Sequence, residues 1–191
     1  MDKPAATRRQ FLIGSLTGAS SVWLTSQWPS ILAAHEHARR AAGSDGTAKF
    51  EFFSPEQAAE IEAMASQIIP TDDSPGAREA GVIYFIDRAL SSFDRHQQSL
   101  YLQGLNDLPA KTRELFPNSG RFSELSSPQQ IQVLTAIEKT PFFAYVRLHT
   151  IMGYLANPEY GGNHDQVGWK LIGFTDEHSF QPPFGYYDLN K

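Results

Sequence analysis

The chain has 191 residues, 41% of them hydrophobic, with 16 Lys and Arg against 21 Asp and Glu and no cysteine. That length suffices for one packed core. The lack of cysteine excludes disulfides, thiolate chemistry, c-type haem attachment and cysteine-ligated metal or iron–sulfur centres on this chain.

Residues 1–34 read as a twin-arginine export signal. Thr7-Arg8-Arg9-Gln10-Phe11-Leu12 leads into Ile13, Leu16, Val22, Trp23 and Leu24, so that Arg8, Arg9, Phe11 and Leu12 carry the recognisable part. Gly14, Ser15, Thr17, Ser20, Ser21 and Thr25 dilute the apolar run below the ~20 strongly apolar residues that a membrane span needs. Leu32-Ala33-Ala34 is the nearest approach to a small-x-small cleavage site, with a bulky residue where a small one is preferred, so retention of the segment as an anchor stays open. Residues 35–49 form a linker without periodicity, and His35-Glu36-His37 within it is assigned no metal role. Removing residues 1–46 takes five basic and three acidic residues away and leaves 11 against 18, a formal charge of −7. Nucleic-acid binding needs a basic face and is disfavoured.

The folded domain is expected over residues 50–191. Ser54-Pro55-Glu56-Gln57 supplies an N-cap, a proline at N1 and a capping-box glutamine, and Ile61, Met64, Ala65 and Ile68 follow at helical spacing. Pro70 ends that helix, and Thr71-Asp72-Asp73-Ser74-Pro75-Gly76 is turn chemistry. Val82, Phe85, Ile86, Ala89 and Leu90 form the stripe of a second helix, with Arg78, Glu79, Asp87 and Arg88 placed toward water. A third helix is predicted from Arg95 to Leu108, with a separate helical piece from Lys111 to Phe116. Ser127-Pro128-Gln129-Gln130 repeats the first capping pattern before a helix carrying Ile131, Leu134 and Ile137. Thr140-Pro141 opens a fifth, with Phe142, Phe143, Val146, His149, Thr150 and Gly153 along it. Beyond Ala156 come loop residues, then Val167 to Phe174, then an extended segment with Phe180, Pro182, Pro183, Phe184, Tyr186 and Tyr187. The reading is all-α, a compact bundle of about five helices with an irregular aromatic C-terminal segment.

No strong catalytic signature appears: Gly161-Gly162 is no dinucleotide fingerprint, and there is no P-loop, Gly-x-Ser-x-Gly elbow or His-Glu-x-x-His pair. Glu159, His164 and Asp165 have metal or acid–base chemistry but nonspecific spacing, and hydrogen bonding within the loop, with Asn163 or Asp165 capping the next helix, accounts for them better. His149 reads as a packed or interfacial histidine. No catalytic, cofactor-binding or metal residue is assigned. The aromatic tail covers either this chain's core or another protein.

Several segments together resemble the gluconate 2-dehydrogenase subunit 3 family. They are the twin-arginine leader, Ile69-Pro70-Thr71-Asp72 with Pro75-Gly76-Ala77-Arg78-Glu79-Ala80-Gly81-Val82, and Asn157-Pro158-Glu159-Tyr160-Gly161-Gly162-Asn163 leading into Gly168-Trp169-Lys170. The resemblance implies a non-catalytic small subunit beside a large FAD-carrying subunit of the glucose-methanol-choline oxidoreductase type, often with a multihaem cytochrome c subunit carrying haem c. It also implies export of the folded complex by the twin-arginine translocase to the periplasm, in association with the inner membrane. Substrate choice, whether gluconate, glucose, another sugar acid or an alcohol, would lie on the other chain. Some relatives join the large subunit through a cysteine; here association must be noncovalent. The partner-contact candidates are Tyr160, Gly161, Gly162, Asn163, Trp169, Phe180, Phe184, Tyr186 and Tyr187. The alternatives are a free-standing periplasmic enzyme using His149, His164 or Glu159, and a membrane-tethered helical scaffold.

Overall fold

Six α-helices and four short 3-10 turns, with no strand, make up the residues described by the computed structural model, 49–177 and 179. The export-signal residues and Phe180, Phe184, Tyr186 and Tyr187 lie outside them. Helix α1 spans Pro55–Ile68 and starts as its capping box dictates, the Ser54 hydroxyl accepting from the Gln57 amide at 3.2 Å and the Gln57 side chain accepting from the Ser54 amide at 3.0 Å. It buries Ala58, Ile61, Ala63, Met64 and Ala65. Helix α2, Val82–Ser91, presents Val82, Ile83, Phe85, Ile86, Ala89 and Leu90 to the core.

Asp87, expected to face water, is instead buried on α2. Its carboxylate accepts the backbone amides of Glu51, Phe52 and Phe53 at 2.7, 3.0 and 2.9 Å, which fixes the chain entering α1 against α2. Three charge-assisted bonds offset the cost of taking the carboxylate out of water.

Helix α3, Gln98–Leu115, follows a 3-10 turn at Arg95–Gln97 and runs unbroken through Pro109, where two separate pieces are predicted. A proline inside a helix costs roughly 3 kcal/mol through its missing donor and ring clash. Tyr101, Leu105, Leu108 and Thr112 are buried on one stripe that continues across Pro109, and this packing outweighs the local penalty.

Helix α4, Ser127–Ile137, has its N-cap at Ser126, one residue earlier than predicted, and Gln129 accepts from the Ser126 amide at 3.0 Å. Gln130, the capping partner expected for Ser127, is engaged in the interior, accepting from Gln67 at 2.6 Å and donating to the Phe122 carbonyl at 3.1 Å. The register follows: Gln130, Val133, Leu134 and Ile137 turn inward, and Ile131, predicted on the apolar face, is 52% exposed.

Helix α5, Pro141–Leu155, is capped by Thr140, which accepts from the Phe143 amide at 3.2 Å. It is the central helix and lies against α1, α2, α3 and the short α6, Val167–Ile172. A helix of 15 residues is marginal by itself in water, so burial of Phe142, Val146, Thr150 and Tyr154 stabilises it. No helix among the described residues is long and apolar enough to cross a membrane.

Candidate functional site

The segment between α5 and α6 is tied at almost every residue. Asn157 accepts from the Glu159 amide at 3.1 Å and opens a 3-10 turn, Pro158–Tyr160, which Gly161 closes at φ 98, a left-handed conformation natural to glycine. Gly162 and α6's Gly168 press onto the last turn of α5: a Cβ on either would lie 2.1 Å from the Gly153 carbonyl oxygen and 1.9 Å from the Tyr154 carbonyl oxygen, respectively. Asn163 is fully buried, donating to the Ala156 carbonyl at 2.9 Å and accepting from the Gly168 amide at 2.8 Å, so one side chain joins the start of the loop to the start of α6. Asn163 or Asp165 is the cap predicted for α6; the N-cap position is Gln166, without a side-chain bond, and Asn163 reaches the Gly168 amide from outside it. The His164 amide donates to the Ala80 carbonyl at 3.0 Å, which fastens the loop to the turn before α2. Trp169 is 8% exposed, with its indole N–H on the Leu155 carbonyl at 2.8 Å and Phe174 edge-on at 5.0 Å.

Of the partner-contact candidates within the described residues, Gly162, Asn163 and Trp169 thus face inward and organise the loop, while Tyr160 and Gly161 lie half-buried at its surface. The outer face gains two residues of α2, Tyr84, which carries no assignment from the sequence, and Arg88, expected only to face water. Tyr84 and Arg88, one helical turn apart on α2, lie beside this loop. Phe50 stacks on Tyr84 with centroids 5.4 Å apart. A Cβ on Gly161 would come within 2.3 Å of Arg88 Nη1, so the guanidinium lies directly over the glycine. A Cβ on Gly81 would meet the Gly161 carbonyl oxygen and Tyr84 at 3.5 Å and His164 at 3.9 Å, which places Tyr84, Gly161 and His164 around one point. The Tyr160 hydroxyl is held above its ordinary pKa, by burial first and by the Glu159 carboxylate second. The i, i+4 spacing of Tyr84 and Arg88 was visible in the sequence; the loop they meet, some seventy residues on, was not.

The titratable side chains divide into separate places. His149 is sealed within the helices, whereas Glu159 and His164 are exposed, so the three do not share a cleft. His149 bonds Asp94 and Tyr101, an order of groups that in an open cleft could move protons, but His149 and Tyr101 have no exposed surface through which a substrate could reach them. Asp72 and Asp73 sit in the expected turn, where Asp72 accepts from the Ser74 amide and hydroxyl at 3.0 and 3.1 Å. In the same turn Glu79 accepts from the Thr71 hydroxyl at 2.6 Å and the Gly76 amide at 2.7 Å, and these bonds, the first foremost, lower its pKa. Among the described residues no three His, Asp or Glu side chains converge closely enough to hold a metal ion.

No curated protein and no solved structure matches the chain. The family profile of gluconate 2-dehydrogenase subunit 3 matches residues 55–176, from the first residue of α1 to just beyond α6. That span takes in every helix of the bundle and the whole tied loop, and the chain belongs to the gluconate 2-dehydrogenase subunit 3 family.

Proposed function

We propose that this chain is a non-catalytic subunit that holds an FAD-carrying dehydrogenase large subunit, of the glucose-methanol-choline type, and carries it through the twin-arginine pathway to the periplasm. The observation that carries the reading is the family match over residues 55–176. The leader with Arg8 and Arg9 supports export of a folded cargo, since that pathway is read by a receptor and not by membrane anchoring. The buried setting of His149 supports placing the chemistry on the other subunit. A multihaem cytochrome c subunit at the inner membrane would take the electrons, and the sugar or sugar-acid substrate would be selected by the large subunit.

Co-expression with the large subunit tests this. The two chains are expected to purify as one noncovalent complex, and the Arg8→Lys/Arg9→Lys double variant is expected to leave the large subunit in the cytoplasm. Normal export of the large subunit in cells lacking this chain would overturn the reading.

A further inference from the structure

Resting on that subunit reading, we infer that Arg88, seated on Gly161 and flanked by Tyr84 and Tyr160, is the cation that receives a carboxylate of the large subunit, and that this face is the centre of the interface. Arg78 pairs with Glu62, Arg121 with Glu124, and the Arg95 side chain donates to the Ser91 carbonyl. The Arg88 guanidinium has no hydrogen-bond or ion-pair partner among the described residues. Arg113 and Arg147 also lack one, but both are exposed and water serves them; Arg88 is half-buried, with protein covering one side of its guanidinium. A partly desolvated cation without a counter-charge is costly alone and gains most from a group that arrives with a partner.

The surroundings specify that group. Gly161 leaves room for the guanidinium to lie against backbone, and a guanidinium carries a planar fork of donors that matches the two oxygens of a carboxylate. The support is rigid, because Asn163, Gly162 and the His164 amide fix the loop to α5, α6 and the turn before α2. Phe50 and Tyr84 supply stacked aromatic area one helical turn away, and Arg with Tyr is the composition of interface hot spots. A nucleic-acid phosphate is a poor fit to one arginine on a domain of formal charge −7.

The test measures the affinity of the full chain for the large subunit by biolayer interferometry, with thermal melting of each variant alone. Arg88→Glu is expected to weaken binding by about 30-fold or more, while Arg113→Glu, the same charge change in exposed solvent, stays within about twofold. Arg88→Lys is expected to bind several-fold more weakly, having charge without the fork. Should Arg88→Glu fail to fold, Arg88→Met and Gly161→Ala, which displaces the guanidinium, take its place with the same expectation. Wild-type binding with Arg88→Glu within about twofold of it overturns this inference and leaves the subunit reading intact. An Arg88 effect that vanishes when residues 180–191 are deleted also overturns it, since the chain's own terminus would then be the occupant. Absence of wild-type binding sinks both.

Discussion

His149 joins Asp94 and Tyr101 through its two ring nitrogens, Nε2 lying 2.8 Å from an Asp94 carboxylate oxygen and Nδ1 2.9 Å from the Tyr101 hydroxyl. The assignment that satisfies every group has Nε2–H donating to Asp94 and the Tyr101 hydroxyl donating to Nδ1. Asp94 follows α2, Tyr101 is on α3 and His149 on α5, so the chain of bonds locks three elements in register. The second Asp94 oxygen faces His96 at 3.7 Å, a side chain 59% exposed, and there the network meets water.

Replacing His149 by Ala strands a buried carboxylate and a buried hydroxyl together. The expected loss is about 3–5 kcal/mol, or a fall in Tm of roughly 10 °C or more for a domain of this size. His149→Ala melting within about 2 °C of wild type would show that the network contributes little. Combining His149→Ala with Asp94→Ala should cost less than the two single losses added, because each single variant already leaves the other partner unsatisfied.

Alkaline pH offers a separate readout of the same network. Burial, and secondarily Asp94, raise the Tyr101 pKa well above its ordinary value of 10.0. The folded state therefore keeps the phenolic proton over a range in which the unfolded chain releases it. The sign follows from linkage: the contribution is whole below about pH 10 and is lost as pH climbs from there toward the folded-state value. Tyr101→Phe is expected to lower stability at pH 7, through loss of the bond to His149, yet to flatten the decline above about pH 10. Tyr160→Phe is the control: its shift has the same direction, but the residue is half-exposed, so it should change the slope little. An unaltered alkaline slope in Tyr101→Phe refutes the assignment.

These buried polar links mark the limit of what could be read from the sequence. The starts of α1 and α5 were legible because Ser54-Pro55-Glu56-Gln57 and Thr140-Pro141 act within one helical turn. The all-α class was legible from periodicity. Continuity through Pro109 was not, because the stripe that overrides the proline gains its energy from other helices. The burial of Asp87 and Asp94 was hidden for the same reason, their partners lying 34 to 55 positions away. At the loop, Gly161, Gly162 and Asn163 stood out as unusual residues. Their division of labour, with one glycine under Arg88 and Asn163 turned inward, depends on α2 and α5 arriving from elsewhere in the chain.

Asp87 should behave as an anchor for the entry to α1. Asp87→Ala leaves three amides without their acceptor, one of them, that of Phe53, buried. A cost of about 3 kcal/mol is expected, since bonds to a charged acceptor are worth more than neutral ones. The loss should be local before it is global. Amides of Glu51, Phe52 and Phe53 are predicted to exchange at least tenfold faster, and the Phe50–Tyr84 stacking to be released, while α4 amides keep their protection. Unchanged protection of the Glu51, Phe52 and Phe53 amides would mean that some other contact holds the chain entering α1 in place.

Gly168 provides the sharpest probe of the tied loop. Its Cα faces the Tyr154 carbonyl so closely that a Cβ would sit 1.9 Å from that oxygen, and backbone on both sides leaves no flexible end to yield. Gly168→Ala must therefore push α6 away from α5, although alanine is the better helix former by about 1 kcal/mol. Steric exclusion is expected to win, with a net loss of roughly 1–3 kcal/mol. Displacing α6 also pulls Trp169 from the Leu155 carbonyl and lengthens the bond from Asn163 to the Gly168 amide. In a background with Trp23 and Trp28 replaced by Phe, Trp169 emission should shift to longer wavelength as the indole meets water. If Gly168→Ala instead raises Tm and leaves emission unchanged, the contact between α5 and α6 is looser than the geometry states, and the loop would not be the rigid support that Arg88 requires.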